Sequence, residues 1–152
     1  LSSGRSDVCD GAFFWREVKV PVKILIADDH EIVRQGIRRV LESKPGWEIC
    51  GEAANGHEAV QMARELTPDV IIMDVTMPVM GGFEAADEIS RLPIGSRVLF
   101  FTMHDSSSMA KSMRRSTARG YVVKSRAAQD LIQALERLLQ GGTFFASGPY
   151  RQ

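Results

Sequence analysis

The sequence predicts an α/β fold: a doubly wound, five-stranded parallel sheet with five helices, in a single domain. Three observations predict it. Short apolar runs rich in β-branched and aromatic residues recur along the chain, and a window with helical spacing follows each one. Four of the five runs are nearly continuous in apolar residues, as strands buried on both faces are. Connections are short, and five strand–helix units are too few for an eight-unit barrel, so an open sheet with right-handed crossovers remains.

The elements follow in order. VKILIAD (22–28) is the first strand. The window Glu31–Ser43 sets Ile32, Gly36 and Val40, and also Val33, Ile37 and Leu41, at helical spacing. WEICGEA (47–53) mixes polar with apolar residues and reads as a strand nearer an edge. His57–Leu66 carries Ala59, Val60, Ala63 and Leu66 on a helix. DVIIMDV (69–75) is the central strand, and Phe83–Leu92 is a helix with Phe83, Ala86 and Ile89 inward. RVLFFT (97–102) is the fourth strand, and the Ser-rich window Ser107–Ser116 holds Met109 and Met113. GYVVK (120–124) is the fifth strand. Ala127–Gln140 is the last helix, with Ala128, Leu131, Leu135 and Leu138 as a core stripe that Ile132 and Leu139 widen, either within the same core or as a dimer contact. Gly141-Gly142 is its stop signal.

Composition narrows the function classes. The 152 residues carry 19 Lys+Arg and 19 Asp+Glu, a formal net charge of +0, which argues against a nucleic-acid binder working by bulk charge. No apolar run approaches the ~20 residues of a membrane span. Cys9 and Cys50 make neither a disulfide framework nor a C-x-x-C pair, so the chain fits a reducing, cytoplasmic setting without zinc. Residues 1–21 read as an N-terminal extension. Its turn-rich composition predicts either a disordered tail or a short docked segment led by Phe13, Phe14 and Trp15.

In open α/β sheets ligands bind beyond the carboxyl ends of the strands. Those ends carry Asp28-Asp29, Asp74, Thr102 and Lys124 after otherwise apolar runs. A single polar residue there is an ordinary first solvated position; four such ends on one sheet edge are hard to explain as solvation. At ~4 Å and an effective dielectric near 20, each pair of like charges costs about 4 kcal/mol. Such a cluster holds protons or recruits a cation, and oxygen ligands favour Mg2+. With a hydroxyl and an amine beside it, the set suits phosphoryl chemistry, and Asp74 on the central strand is the best nucleophile.

These residues resemble a known family. ILIADDH (24–30), PDVIIMDVTMPVMGG (68–82), VLFFTMHD (98–105) and ARGYVVKS (118–125) match, in order, the blocks of the receiver domain of bacterial two-component response regulators. The match runs from about Val22 to Ala146, and the wording of TMHD and GYVVK is most similar to the NarL/LuxR-type branch. The resemblance implies a CheY-like sheet in the order 2-1-3-4-5. It implies Asp74 as phosphoacceptor and Asp28, Asp29 and the Thr76 carbonyl, with Asp74, as the Mg2+ site, Asp29 being the more direct ligand. Thr102 and Lys124 would contact the phosphoryl group, and Tyr121 would be the switch aromatic that turns inward. The implied partners are a sensor histidine kinase and a second copy, as a homodimer on activation. An output such as transcription would be controlled by switching, the chain itself being a signalling domain and not an enzyme.

Smaller signals complete the reading. Pro78 and Gly81-Gly82 suit a tight loop bringing backbone to the site, or an ordinary turn. Ser106, Ser107, Ser108 and Ser112 weaken the fourth helix or cap it. His104 is expected at the surface unless it tunes phosphoryl lifetime, Met103 is usual for the branch, His30 is a cap or supporting residue, and His57 a plain helix residue. Arg34, Arg38 and Arg39 are expected on a solvated face. GGTFFASGP resembles the start of a linker, with 147–152 as a tail or its first residues. A helix-turn-helix output domain is not contained in these residues, so direct DNA binding by this chain is not expected. The alternatives are a degenerate receiver that only docks partners, and an aspartate-nucleophile phosphatase. The phosphatase reading wants an acid two residues after the nucleophile, where Thr76 stands.

Overall fold

The computed structural model describes residues 20–103 and 106–145. The readings on Cys9, Phe13, Phe14, Trp15, His104 and 147–152 lie outside the described residues. In chain order the elements are β1 Val22–Ala27, α1 Glu31–Leu41, β2 Trp47–Ala53, α2 Gly56–Leu66, β3 Val70–Asp74, α3 Gly82–Ser90, β4 Arg97–Thr102, α4 Ser107–Arg115, β5 Gly120–Val123 and α5 Ala127–Leu139. A 3-10 turn, Lys124–Arg126, joins the last two. The strands form one parallel sheet in the order β2-β1-β3-β4-β5, as the resemblance implied.

Continuous apolar runs are the signature of strands buried on both faces, and the core divides accordingly. Leu25, Ala27, Ile71, Met73, Phe100, Tyr121 and Val123 point to one face, where Ala59, Ala63, Ala85, Ala86, Ile89 and Met113 of α2, α3 and α4 cover them. Ile24, Ile26, Val70, Ile72, Leu99, Phe101 and Val122 point to the other, under Ile37 and Leu41 of α1 and Leu131, Ala134, Leu135 and Leu138 of α5. Strict alternation along each strand makes this division, because successive side chains leave a strand on opposite sides. β2 lies at one edge, as its mixed composition predicts, and only Ala53 of it is fully buried.

Helix ends follow local chemistry. Asn55 caps α2 by accepting from the Glu58 N–H at 2.9 Å, while the Glu58 carboxylate accepts from the Ala54 N–H at 2.9 Å. That cap starts the helix at Gly56, one residue before the expected His57.

Tertiary packing corrects several expectations. Two apolar rows competed for the inner face of α1. Val33, Ile37 and Leu41 face the core and Val40 packs against it, whereas Ile32 is 81% exposed. On α5 the inward stripe uses Ala134 where Ala128 was expected, and Ala128 is exposed. Ile132 and Leu139 pack against that same core. The residues read as the start of a linker belong in part to the fold. Phe144 is 2% exposed, and its backbone pairs with the outer edge of β5 through Tyr121 N–H to Phe144 O at 2.8 Å and Phe144 N–H to Arg119 O at 3.0 Å. Gly120 permits this approach, since a Cβ there would stand 2.2 Å from the Phe144 carbonyl oxygen.

Candidate functional site

Register sets the site. Ala27 pairs with Met73, Asp74 with Phe101, and Thr102 with Val123. The residues at or just past those positions, Asp28, Asp74, Thr102 and Lys124, therefore gather along one carboxyl edge. Strand order reverses there between β1 and β3, the place where open α/β sheets leave a crevice.

Asp28 is 1% exposed and held on several sides. Its Oδ1 accepts from the His30 N–H at 2.9 Å, and its carbonyl accepts from the Arg34 guanidinium at 2.6 Å. Asp74 is 6% exposed on the neighbouring strand. The Lys124 ammonium stands between them, 2.8 Å from Asp28 Oδ2 and 3.6 Å from Asp74 Oδ2. Its approach to Asp28 is a charge contact outside hydrogen-bonding alignment, so that buried oxygen accepts no hydrogen bond. Asp29 lies at the rim with a partly exposed side chain.

Electrostatics mark Asp74 out. Burial pushes its carboxyl above the ordinary value of 3.8, and the Asp28 charge pushes it further. The Lys124 ammonium and a hydrogen bond from the Thr76 backbone pull the other way, and Asp29 adds to the rise. The net direction is upward.

The loop after β3 shows why small residues follow the acid. Gly82 donates its N–H to the Val75 carbonyl at 2.8 Å, and a Cβ on it would lie 2.2 Å from the Asp74 carbonyl oxygen. Within this loop Val79 has φ of 70°, a left-handed conformation that a β-branched residue rarely adopts. Of the two readings of Gly81-Gly82, close backbone approach is what the fold contains at Gly82, whereas a Cβ on Gly81 would stand an ordinary 3.5 Å from the Val75 carbonyl oxygen.

Three carboxylates thus converge with one amine, and a buried carboxylate oxygen is left without a hydrogen-bond donor. Hard oxygen donors crowded together suit a divalent cation such as Mg2+. Thr102 is buried at the end of β4, 1% exposed, and the Thr76 side chain is exposed. Tyr121 is not on the surface awaiting an inward turn. It is 4% exposed, with Phe145 beside it at 6.4 Å between ring centroids.

Sequence reasoning passed over one contributor, Arg34, and left the role of another, His30, open between cap and support. Arg34 was expected on a solvated face with Arg38 and Arg39. In the fold its Nε lies 2.8 Å from Glu52 Oε1 while its NH1 holds the Asp28 carbonyl, so α1 clamps the strand end carrying the acids. Arg38 reaches the same carboxylate at 2.5 Å, and Arg39 is exposed as expected. Burial raises the Glu52 carboxyl, but hydrogen bonds from Arg34 and Arg38 outweigh it and leave it below the ordinary range. His30 stands at the N-cap of α1, its ring beside both Asp28 and Asp29. One-dimensional spacing does not mark Arg34, because Glu52 is reached across the fold, whereas His30 adjoins its partners in the sequence.

Comparison with known proteins decides the family. The model of the response regulator receiver domain matches residues 24–136. The chain belongs to the response regulator receiver domain family. It is 36% identical over 126 residues to the response regulator UvrY of Escherichia coli (strain K12), covering 83% of this chain and 58% of that protein. It is 36% identical over 124 residues to the transcriptional regulatory protein DegU of Brevibacillus brevis, covering 81% of this chain and 52% of that protein. The chain therefore spans little more than half the length of these relatives. A crystal structure of a LuxR-family two-component response regulator from Aurantimonas sp. SI85-9A1 superposes with a TM-score of 0.77 at 42% identity, covering 82% of this chain and 89% of that one. The receiver domain of RcsB from Salmonella enterica serovar Typhimurium, solved with the phosphomimetic BeF3-, gives 0.76 at 28% identity, covering 83% and 94%. This receiver domain is thus part of a two-component response regulator of the NarL/LuxR-type branch, a signalling module. Among the described residues no helix is long and apolar enough to cross a membrane.

Proposed function

We propose that this receiver domain takes a phosphoryl group on Asp74 from a phosphohistidine of a sensor histidine kinase. The observation that carries the reading is the convergence of Asp28, Asp29 and Asp74 with Lys124, whose Nζ lies 2.8 Å from one buried carboxylate and 3.6 Å from another. An Asp74 Oδ attacks phosphorus, the P–O bond forms as the P–N bond breaks, and the departing imidazole keeps the electron pair and takes a proton. Asp28, Asp29, Asp74 and the Thr76 carbonyl would hold Mg2+, which supplies charge neutralisation at the phosphoryl oxygens when bound. Lys124 supplies a second positive charge at those oxygens, and the Thr102 hydroxyl donates to one of them. Ionised Asp74 is the nucleophile, so the cationic surroundings serve also to hold it deprotonated against its burial.

Switching follows from charge. The aspartyl phosphate brings about −1.5 to −2 charge and new acceptor oxygens. Thr102 moves towards them and disturbs the packing under α4, where Tyr121 and Phe145 meet. Since Tyr121 is already buried, the product shifts its rotamer and its contact with Phe145. Moving such an equilibrium from 1:99 to 99:1 needs about 5.5 kcal/mol, which a few charge-assisted hydrogen bonds of 1.5–3 kcal/mol each supply. The RcsB receiver whose structure was solved in the presence of the phosphomimetic BeF3- supports a phosphoryl-accepting pocket in a relative. The output of the whole protein is transcriptional control, as DegU is named for, with a homodimer as the active form, in a cytoplasmic setting.

Incubation with acetyl phosphate and Mg2+ followed by intact mass measurement tests this. One added phosphoryl mass is expected, and its absence would overturn the reading. Asp74→Asn should stay unlabelled; a label on that variant places the acceptor elsewhere.

A further inference from the structure

Two phenylalanines just past the helix stop turn to opposite faces of the sheet. Phe144 enters the core under α1 and α5, is 2% exposed, and is pinned to the outer edge of β5 by two backbone hydrogen bonds. The Arg137 guanidinium lies over its ring at 5.6 Å. Phe145 is half-buried and packs on the other face, against the core under α2, α3 and α4. Its ring lies 6.4 Å from that of Tyr121. The Arg114 guanidinium of α4 holds Phe145 twice, over the ring at 5.8 Å and by donating to its carbonyl oxygen at 3.2 Å. Residues 144–145 thus cross the β5 edge as a strap with one deep anchor and one surface clasp.

The two fastenings differ in strength. Phe144 is held by full burial of a large ring and by backbone pairing, which only unfolding removes. Phe145 is held by one exposed hydrogen bond, a surface cation–π contact and a tilted ring contact, each a small contribution in water. The clasp also sits at the end of a line of contacts from the acid pocket. Thr102 follows Phe100 by two residues on β4, so both side chains leave the sheet on the face that carries Tyr121. We propose that residues 144–145 are a strap whose clasp reads the state of Asp74, closed while Asp74 is free and open once it carries a phosphoryl group. The inference rests on the reading of Asp74 as phosphoacceptor and of Thr102 as the group drawn to the new oxygens. As Thr102 moves towards the carboxyl edge, the Tyr121 ring shifts into the space it leaves and away from Phe145. Phe145 then keeps only Arg114, and the strap opens about the Phe144 anchor. The part of α4 and β5 beneath Phe145 is uncovered in the phosphorylated state, so the strap is an autoinhibitory cover made from the chain itself.

Brief proteolysis tests it. Chymotrypsin cuts after phenylalanine, and cutting of a segment that opens and closes quickly tracks the population of its open form. The full chain is treated with acetyl phosphate and Mg2+, pulsed with chymotrypsin and weighed. The masses report both the phosphoryl group and the fragment ending at Phe145. Labelled chains should be cut after Phe145 about 5-fold faster or more than unlabelled ones, the low end of coupling between two sites. Cutting after Phe144 should stay slow in both. Arg114→Ala should be cut quickly without a label. Arg115→Ala removes the same charge one residue on and should behave as the wild type. Equal cutting of labelled and unlabelled chains, or equal acceleration by Arg115→Ala, would overturn the strap and leave the phosphoacceptor reading standing. Failure of the chain to take the label overturns both.

Discussion

Asp74 carries a charge that its surroundings oppose, and this has a consequence for stability. Burial and the Asp28 charge raise its folded-state pKa above the ordinary 3.8. The folded chain therefore holds that proton more tightly than the unfolded chain. Below the ordinary value both states are protonated and Asp74 brings no penalty. As pH rises through the raised value the penalty becomes complete, so this contribution to stability falls with rising pH. Asp74→Asn removes the charge and keeps the shape. It should melt higher than the wild type at neutral pH without divalent ions, by about 1 kcal/mol, with the gap closing as the pH is lowered towards the ordinary carboxylate range. Thermal melts across pH check this; a variant no more stable at neutral pH would contradict the buried-charge account. Gly82 is constrained by geometry alone. Gly82→Ala drives a Cβ against the Asp74 backbone, which cannot yield as a flexible side chain would. A loss of about 1–3 kcal/mol in urea denaturation is expected, with slower labelling by acetyl phosphate because the nucleophile's own strand end must shift. That DD, D, T and K end their strands is readable from the chain. That Arg34 holds the Asp28 carbonyl is not, because its place beside Glu52 depends on how α1 leans over β2.

Elements differ in how firmly they are held. α5 buries Asp130, Leu131, Ala134, Leu135 and Leu138, whereas α4 buries only Met113, with Met109 and Ala110 partly covered. Few buried contacts mean low local stability, so α4 is the element that opens first. Its cap matters correspondingly: Ser106 accepts from the Met109 N–H at 3.2 Å. Ser106→Ala should cost about 1 kcal/mol and appear as faster amide exchange in α4, with β1 and β3 unchanged. Equal acceleration in the central strands would show that α4 has no separate opening. The serines were open between weakening and capping, and at Ser106 the fold shows a cap. At the other end of the core, Phe144 fills the space between β5 and α5 after the helix stop. Phe144→Ala should destabilise by about 3–5 kcal/mol, measured by urea denaturation. A loss below 1 kcal/mol would mean that the segment after α5 is an appendage. The Gly141-Gly142 stop was legible, since glycine ends helices by its own conformational freedom. The return of the chain to the β5 edge was not, since it depends on Gly120 offering room.

At the scale of the molecule, one sheet carries two cores and gathers its acids at one end. Like charges that repel in the folded chain are separated in the unfolded one, so a cation that binds only the folded form stabilises the whole domain. At a Mg2+ concentration 100 times its Kd the gain is about 2.7 kcal/mol. A rise in melting temperature with Mg2+ is expected for the wild type and should vanish in Asp28→Ala. An equal rise in that variant would place the ion elsewhere. A single cooperative melting transition is expected of a sheet whose every strand serves both cores.

The linear pattern by itself determined the five strands and five helices, the edge position of β2, and which residues end the strands. These are local properties, since side-chain alternation, apolar periodicity and turn chemistry are settled within a few residues. Where the pattern was degenerate, tertiary structure decided. Both the row led by Ile32 and the row led by Val33 on α1 have helical spacing, and only docking in the fold left Ile32 outside while Val33, Ile37, Val40 and Leu41 turned to the core. Arg34, Phe144 and the buried ring of Tyr121 acquired their partners in the same way. Their contacts cross from one element to another, and distance along the chain carries no record of which surfaces meet once the sheet has formed.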